Sequence, residues 1–170
     1  MSLARHRRTV YTLAAFALLV ANAVAQPAAS MPATMTAHHA TGPFDVTLAP
    51  LDLSPVAAPA GLGRMSLDKR FHGALEATSQ GEMLAFRSAD KRSGGYVAME
   101  TVRGTLDGRR GSFVLQHSST MLHGAPAQSI TVAPESGTDE LAGLSGRMVV
   151  DIAADGTHAY RFDYELPVAR

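Results

Sequence analysis

The chain is 170 residues long, with 15 basic and 15 acidic side chains and no cysteine. That balance leaves no electrostatic footprint for nucleic acid. Lack of cysteine excludes disulfides, thiol nucleophiles and a lipid-modified N-terminal cysteine.

The N-terminus has the three parts of a secretory signal. Arg5, Arg7 and Arg8 form a basic region, and residues 10–21 (VYTLAAFALLVA) form an apolar one. Ala23-Val24-Ala25 is a small-residue cleavage site ahead of Gln26. The apolar run falls short of the roughly 20 residues that span a bilayer. The expectation is residues 1–25 as signal peptide, 26–41 as a flexible tether and 42–170 as one β domain. The protein is then exported, periplasmic or secreted, with no membrane attachment after cleavage. Removing the signal takes away three arginines and no acids, so 145 residues remain with 12 basic against 15 acidic groups, a net of −3. A domain of that size buries a real core. The tether (QPAASMPATMTAHHAT) lacks periodicity, and its His38 and His39 read as solvated tail residues.

Strand-length runs with period-two alternation then follow, broken by turn residues. The expected strands begin with Phe44–Leu48, followed by a Pro/Ala/Gly-rich loop over 49–63. Met65, Leu67, Lys69, Phe71 and Leu75 alternate with polar residues, and a further run goes from Gly81 to Phe86. Ser93-Gly94-Gly95 is a turn. Strands are expected at Tyr96–Leu106, Ser112–Met121, Ser129–Ala133, Gly146–Ala153 and His158–Leu166. Thr138-Asp139-Glu140-Leu141 suits one helical turn. About eight short-linked strands make an all-β closed antiparallel up-and-down barrel, with a two-sheet sandwich as the alternative.

Alternation also assigns faces. Tyr160, Phe162, Tyr164 and Leu166 share one, as do Met148, Val150 and Ile152. Tyr96, Ala98, Glu100 and Val102 share another, as do Phe113, Leu115 and His117. Glu100 and His117 are therefore polar residues on apolar faces. A Gly108-Arg109 turn places them directly opposite; an Asp107-Gly108 turn makes them diagonal on the same face. They serve either as a buried pair completing the core or as an acid–base pair in a cavity. Lys69 is expected at a barrel mouth, where it could attract an acidic ligand. Tyr96, Leu115, Tyr160, Phe162 and Tyr164 complete the candidate pocket. His72, His117, His123 and His158 lack metal-ligand spacing, and no cofactor motif is present.

Three segments, 63–84 (GRMSLDKRFHGALEATSQGEML), 95–121 (GYVAMETVRGTLDGRRGSFVLQHSSTM) and 136–152 (SGTDELAGLSGRMVVDI), together resemble a bacterial family known as a domain of unknown function. The resemblance covers about Thr41 to Pro167 and implies an allene oxide cyclase-like, calycin-like barrel. It assigns no catalytic residue, and Ala74 stands where an acidic residue is expected. Three functions remain open: an exported binding module for a small, partly apolar ligand; a cofactor-free cyclase or isomerase using the same cavity, with Glu100 and His117 as catalytic candidates; or a structural protein with a filled barrel. A homo-oligomer is compatible with each.

Overall fold

A computed structural model describes residues 34–168. The proposed signal peptide and the first part of the tether lie outside the described residues. Eight strands follow in chain order: β1 (Met35–Leu51), β2 (Gly63–Phe71), β3 (Leu75–Arg87), β4 (Gly94–Leu106), β5 (Arg109–Leu122), β6 (Ala125–Val132), β7 (Ser145–Ile152) and β8 (His158–Pro167). Each pairs antiparallel with its sequence neighbour, and β1 closes the ring on β8. The architecture is a closed up-and-down barrel rather than a sandwich.

Several boundaries differ from the sequence expectation, and three of them matter most for the interior. Residues 35–41, read as tether, form the first half of β1 and pair with β8 from Met35 opposite Pro167 onward. That half has little periodicity of its own; its partner strand holds it. Second, the run from Met65 to Leu75 is two strands, because Gly73 turns the chain at positive φ. Third, β3 begins at Leu75 rather than Gly81. The 138–141 hint does become a short 3-10 turn, Asp139–Leu141.

The β4–β5 hairpin decides the expected register. Leu106 faces Arg109, so Asp107-Gly108 is the two-residue turn. Both central residues have positive φ, 48° and 78°, the type I′ geometry that Asp-Gly favours. Glu100 therefore faces Leu115, and His117 faces Ala98. The direct pairing from a Gly108-Arg109 turn is corrected to the diagonal one.

The interior is asymmetric along the barrel. At one end Leu75, Leu106, Phe113, Leu115, Phe162, Tyr164 and Leu166 are fully buried and form a packed core. The 133–144 connection seals this end with Leu141 and Leu144. It also completes β5, whose first residues extend past β6. Ser112 and Val114 donate backbone N–H groups to Thr138 Oγ1 (3.0 Å) and Ser136 Oγ (3.1 Å), and Arg110 donates to Glu140 Oε2 (2.7 Å). Side chains thus stand in for a missing strand and leave those donors satisfied. Thr138 spends its hydroxyl here and makes no cap bond to its own turn.

Toward the opposite end, inward-facing side chains lose burial. Val46, Met65, Met83, Tyr96, Ser119, Met121 and Val150 are only half-buried. Ile152, expected on the core face with Met148 and Val150, is exposed because it lies past this rim. The barrel is a cup with one sealed end and one open end.

Tyr160 fastens the β2–β3 turn to β8. Its hydroxyl accepts from the Leu75 backbone N–H (2.8 Å) and donates to the His72 carbonyl (3.1 Å). Removing it leaves a buried N–H without a partner. Tyr160→Phe is therefore expected to destabilise the barrel by about 1–3 kcal/mol, read as a lower urea midpoint with unchanged m-value. An unshifted midpoint would show that the turn does not need this anchor.

Candidate functional site

Four polar side chains meet inside the barrel, one from each of four consecutive strands. Lys69 comes from β2, Ser79 from β3, Glu100 from β4 and His117 from β5. All are buried, with 7%, 1%, 1% and 4% of their surface exposed. Each occupies an inward position of its strand, so alternation alone delivers them to the lumen.

Glu100 is the hub. Lys69 Nζ donates to its Oε1 at 2.7 Å, and His117 Nε2 lies 2.8 Å from the same oxygen. Ser79 Oγ donates to Oε2 at 2.6 Å. The Lys69 ammonium also lies 5.5 Å from the Phe44 ring centroid and 5.8 Å from that of Phe71, at the outer range of cation–π attraction. Burial by itself pushes the Glu100 carboxyl up. The His117 hydrogen bond and then the Lys69 charge outweigh it and hold the group near 2, against an ordinary 4.5. Glu100 is thus ionised and accepts only, so His117 Nε2 is the donor of their bond.

Backbone shape helps to seat the hub. Gly81 stands opposite Glu100 across β3–β4. A Cβ there would lie 2.1 Å from the Met99 carbonyl oxygen and 2.7 Å from Glu100 Cβ. Only glycine lets β3 bend this closely over Glu100.

The sequence candidates divide by position. Glu100 and His117 are brought together as expected. Lys69 joins them and is not at the mouth; the counter-charge on Glu100 and the two phenyl rings allow its burial. Tyr96 lies on the open side of the cluster, its phenol pushed up by burial with the Glu100 charge adding to it. Leu115, Phe162 and Tyr164 belong to the packed half and Tyr160 to the turn anchor; Tyr164 also borders a groove between β1, β7 and β8, with His38 and Arg147. Tyr164 donates to Asp107 of the hairpin turn, and burial and then Asp107 push its phenol up. His38 and His39 are strand residues rather than tail: His38 stacks on Tyr164 with ring centroids 4.9 Å apart, and His39 bonds Asp163 at 2.6 Å. Ser79 was missed. Its signal was the parity Leu75, Ala77, Ser79, legible only once β3 is started at Leu75. Among the described residues, no group of three or more His, Cys, Asp or Glu side chains could hold a metal ion.

A separate groove of about 660 Å³ crosses the outer face of β2–β5, with Leu84, Val97, Met99 and the Arg64–Glu82 ion pair on its walls. Its lining also includes the inward-facing Met83, Ala98 and His117, so the groove borders the polar cluster.

Fold and site together define a small closed β-barrel with a buried ionic centre below one open end. The chain belongs to the family described as proteins of unknown function, DUF3224, whose model matches residues 40–164. It is similar to a crystallised DUF3224 protein of unknown function from Shewanella oneidensis MR-1, at 47% identity and TM-score 0.69, over 81% of this chain and all of that one. No curated protein matches it.

Glu100→Gln removes the counter-charge of a buried lysine and is expected to cost about 3–5 kcal/mol at neutral pH. The folded carboxyl titrates near 2 and the unfolded one near 4.5. Its stabilisation is therefore complete above 4.5 and is lost as pH falls toward 2. The gap in urea midpoint between wild type and variant should narrow over that window. A gap constant with pH would contradict the ion pair.

Proposed function

We propose that this protein is an exported binding module that holds a small, partly apolar molecule in the open end of its barrel, above the Lys69–Glu100–His117–Ser79 cluster. One observation carries the reading: burial of inward-facing residues is complete at the sealed end and fades to half at the other, with the polar cluster at the boundary. Pockets for small molecules combine apolar walls with a few placed polar groups. Met65, Met83, Tyr96 and Met121 supply such walls. Export rests on the basic, apolar and A-x-A pattern of residues 1–25. Native mass spectrometry of protein purified from its own host tests both parts. The expected spectrum is a chain beginning at Gln26 with an additional small-molecule mass lost on activation. A chain beginning at Met1 would refute export, and a bare protein mass would favour a filled barrel.

A second reading is a cofactor-free isomerase or cyclase in the same place. The favouring observation is the 2.8 Å bond from ionised Glu100 to His117, which orients an imidazole as a carboxylate does in acid–base catalysis. On this reading His117→Ala and Glu100→Ala each lower conversion of the bound molecule by at least about a hundredfold. Conversion that survives both substitutions would remove the enzymatic role.

A further inference from the structure

Charge is spread unevenly around the outside of the barrel. On one wall β8 turns Arg161, Asp163 and Glu165 outward, and β2 turns Asp68 and Arg70 outward. The wall across the ring is different. The outward positions of β4 from 95 to 101, of β5 from 114 to 122 and of β6 from 125 to 131 hold no charged side chain. Leu84 and Phe86 extend this sector onto β3. Charged residues mark its limits, with the Arg64–Glu82 pair on one flank and Arg103 and Arg110 toward the sealed end.

The same sector gathers exposed apolar surface. Of the ten large apolar side chains exposed among the described residues, Leu84, Phe86, Val97, Met99 and Leu122 lie here. Leu84 is paired with Val97, so the patch is continuous across the strands. A concentrated apolar patch on a soluble domain marks a contact surface. Leu84, Val97 and Met99 also wall the outer groove. Phe86 stands two residues beyond Leu84, is 55% exposed, and faces Gly95, which has no side chain to cover it.

Charge decides what fits this face. A nucleic acid, a membrane surface or a highly charged protein finds nothing here to pair with. A twofold contact between identical faces sets a stricter condition. Side chains near its axis meet their own copies, so like charges must be absent there. The uncharged sector meets that condition. Four strands about 4.8 Å apart and about seven residues long make a face about 19 Å by 23 Å. That is smaller than the roughly 800 Å² each partner gives to a standard interface, so the association is weak and concentration-dependent.

We propose that this protein forms a twofold-symmetric dimer through the uncharged outer face of β3–β6, with Phe86 of each copy seated in the apolar groove of the other. Val97 and Met99 lie at the centre of the contact. The dimer uses the barrel wall, so it is tested apart from the reading of the open end.

Sedimentation velocity of the purified protein over a concentration series tests this. The expected result is a monomer at low concentration that shifts to twice the chain mass as concentration rises. Its dissociation constant should not change between low and high sodium chloride. Val97→Glu, and separately Ser118→Glu on the neighbouring strand, place like charges face to face. Each is expected to raise the dissociation constant at least about a hundredfold. Phe86→Ala is expected to raise it at least about tenfold; an unchanged value would overturn the seating of Phe86. Asp68→Lys, on the charged wall, should leave it unchanged. A monomer throughout the series would overturn the dimer and leave the face to another partner. A dimer that survives both Glu substitutions would overturn the assigned face. Weakening by salt would overturn the uncharged contact, and a trimer would overturn the twofold axis. The wild-type series decides whether a dimer forms even where a variant does not fold.

Discussion

The carboxylate of Glu100 is the constraint on which the interior depends. It accepts hydrogen bonds from β2, β3 and β5 while sitting on β4. A hydrophobic core is tolerant of small slips, because apolar contacts are non-directional. A carboxylate held by three directional donors is not, since moving any of the four strands by two residues takes a donor away. The cluster thus specifies register across half of the barrel. It also forces polarity into the middle of the lumen, so the packed aromatic half stops there and cannot continue to the rim.

Much of this was legible in the chain because strand parity is robust. The two turns the sequence allows, Gly108-Arg109 and the observed Asp107-Gly108, differ in pairing by two positions. A two-residue shift keeps every side chain on its face, so Glu100 and His117 stay inside together with either turn. The burial of Tyr160, Phe162, Tyr164 and Leu166 was readable for the same reason. Lys69 was not. An isolated lysine is expected at the surface, and its partner lies 31 residues away on a strand that is not its neighbour. Ser79 escaped because β3 was begun six residues late. The first half of β1 has small, weakly patterned residues, and only its pairing with β8 makes it a strand.

Family membership and geometry contribute different things here. The DUF3224 match and the Shewanella oneidensis structure establish that this barrel recurs, but a fold does not fix a function. The two ends of the barrel differ. The sealed end is closed by a connection whose hydroxyls and carboxylate complete β5. Such a segment reads as a linker in sequence, yet Ser136, Thr138 and Glu140 are as structurally committed as strand residues.

The same connection leaves the ring with one thin seam. β6 and β7 share only the pairs Ile130–Met148 and Thr131–Arg147, whereas each other neighbouring pair of strands shares eight or more. A closed sheet has no edge, but it has a weakest rung. Partial opening of the native state begins where least hydrogen bonding is lost, and here that means unzipping between β6 and β7. The opened form would be a curled eight-stranded ribbon with β6 and β7 as raw edges. Exposure of this protein to proteases and to self-association is thereby concentrated at a seam of two backbone rungs and one side chain, Gln128, which bonds the Val150 N–H and carbonyl at 2.9 Å each.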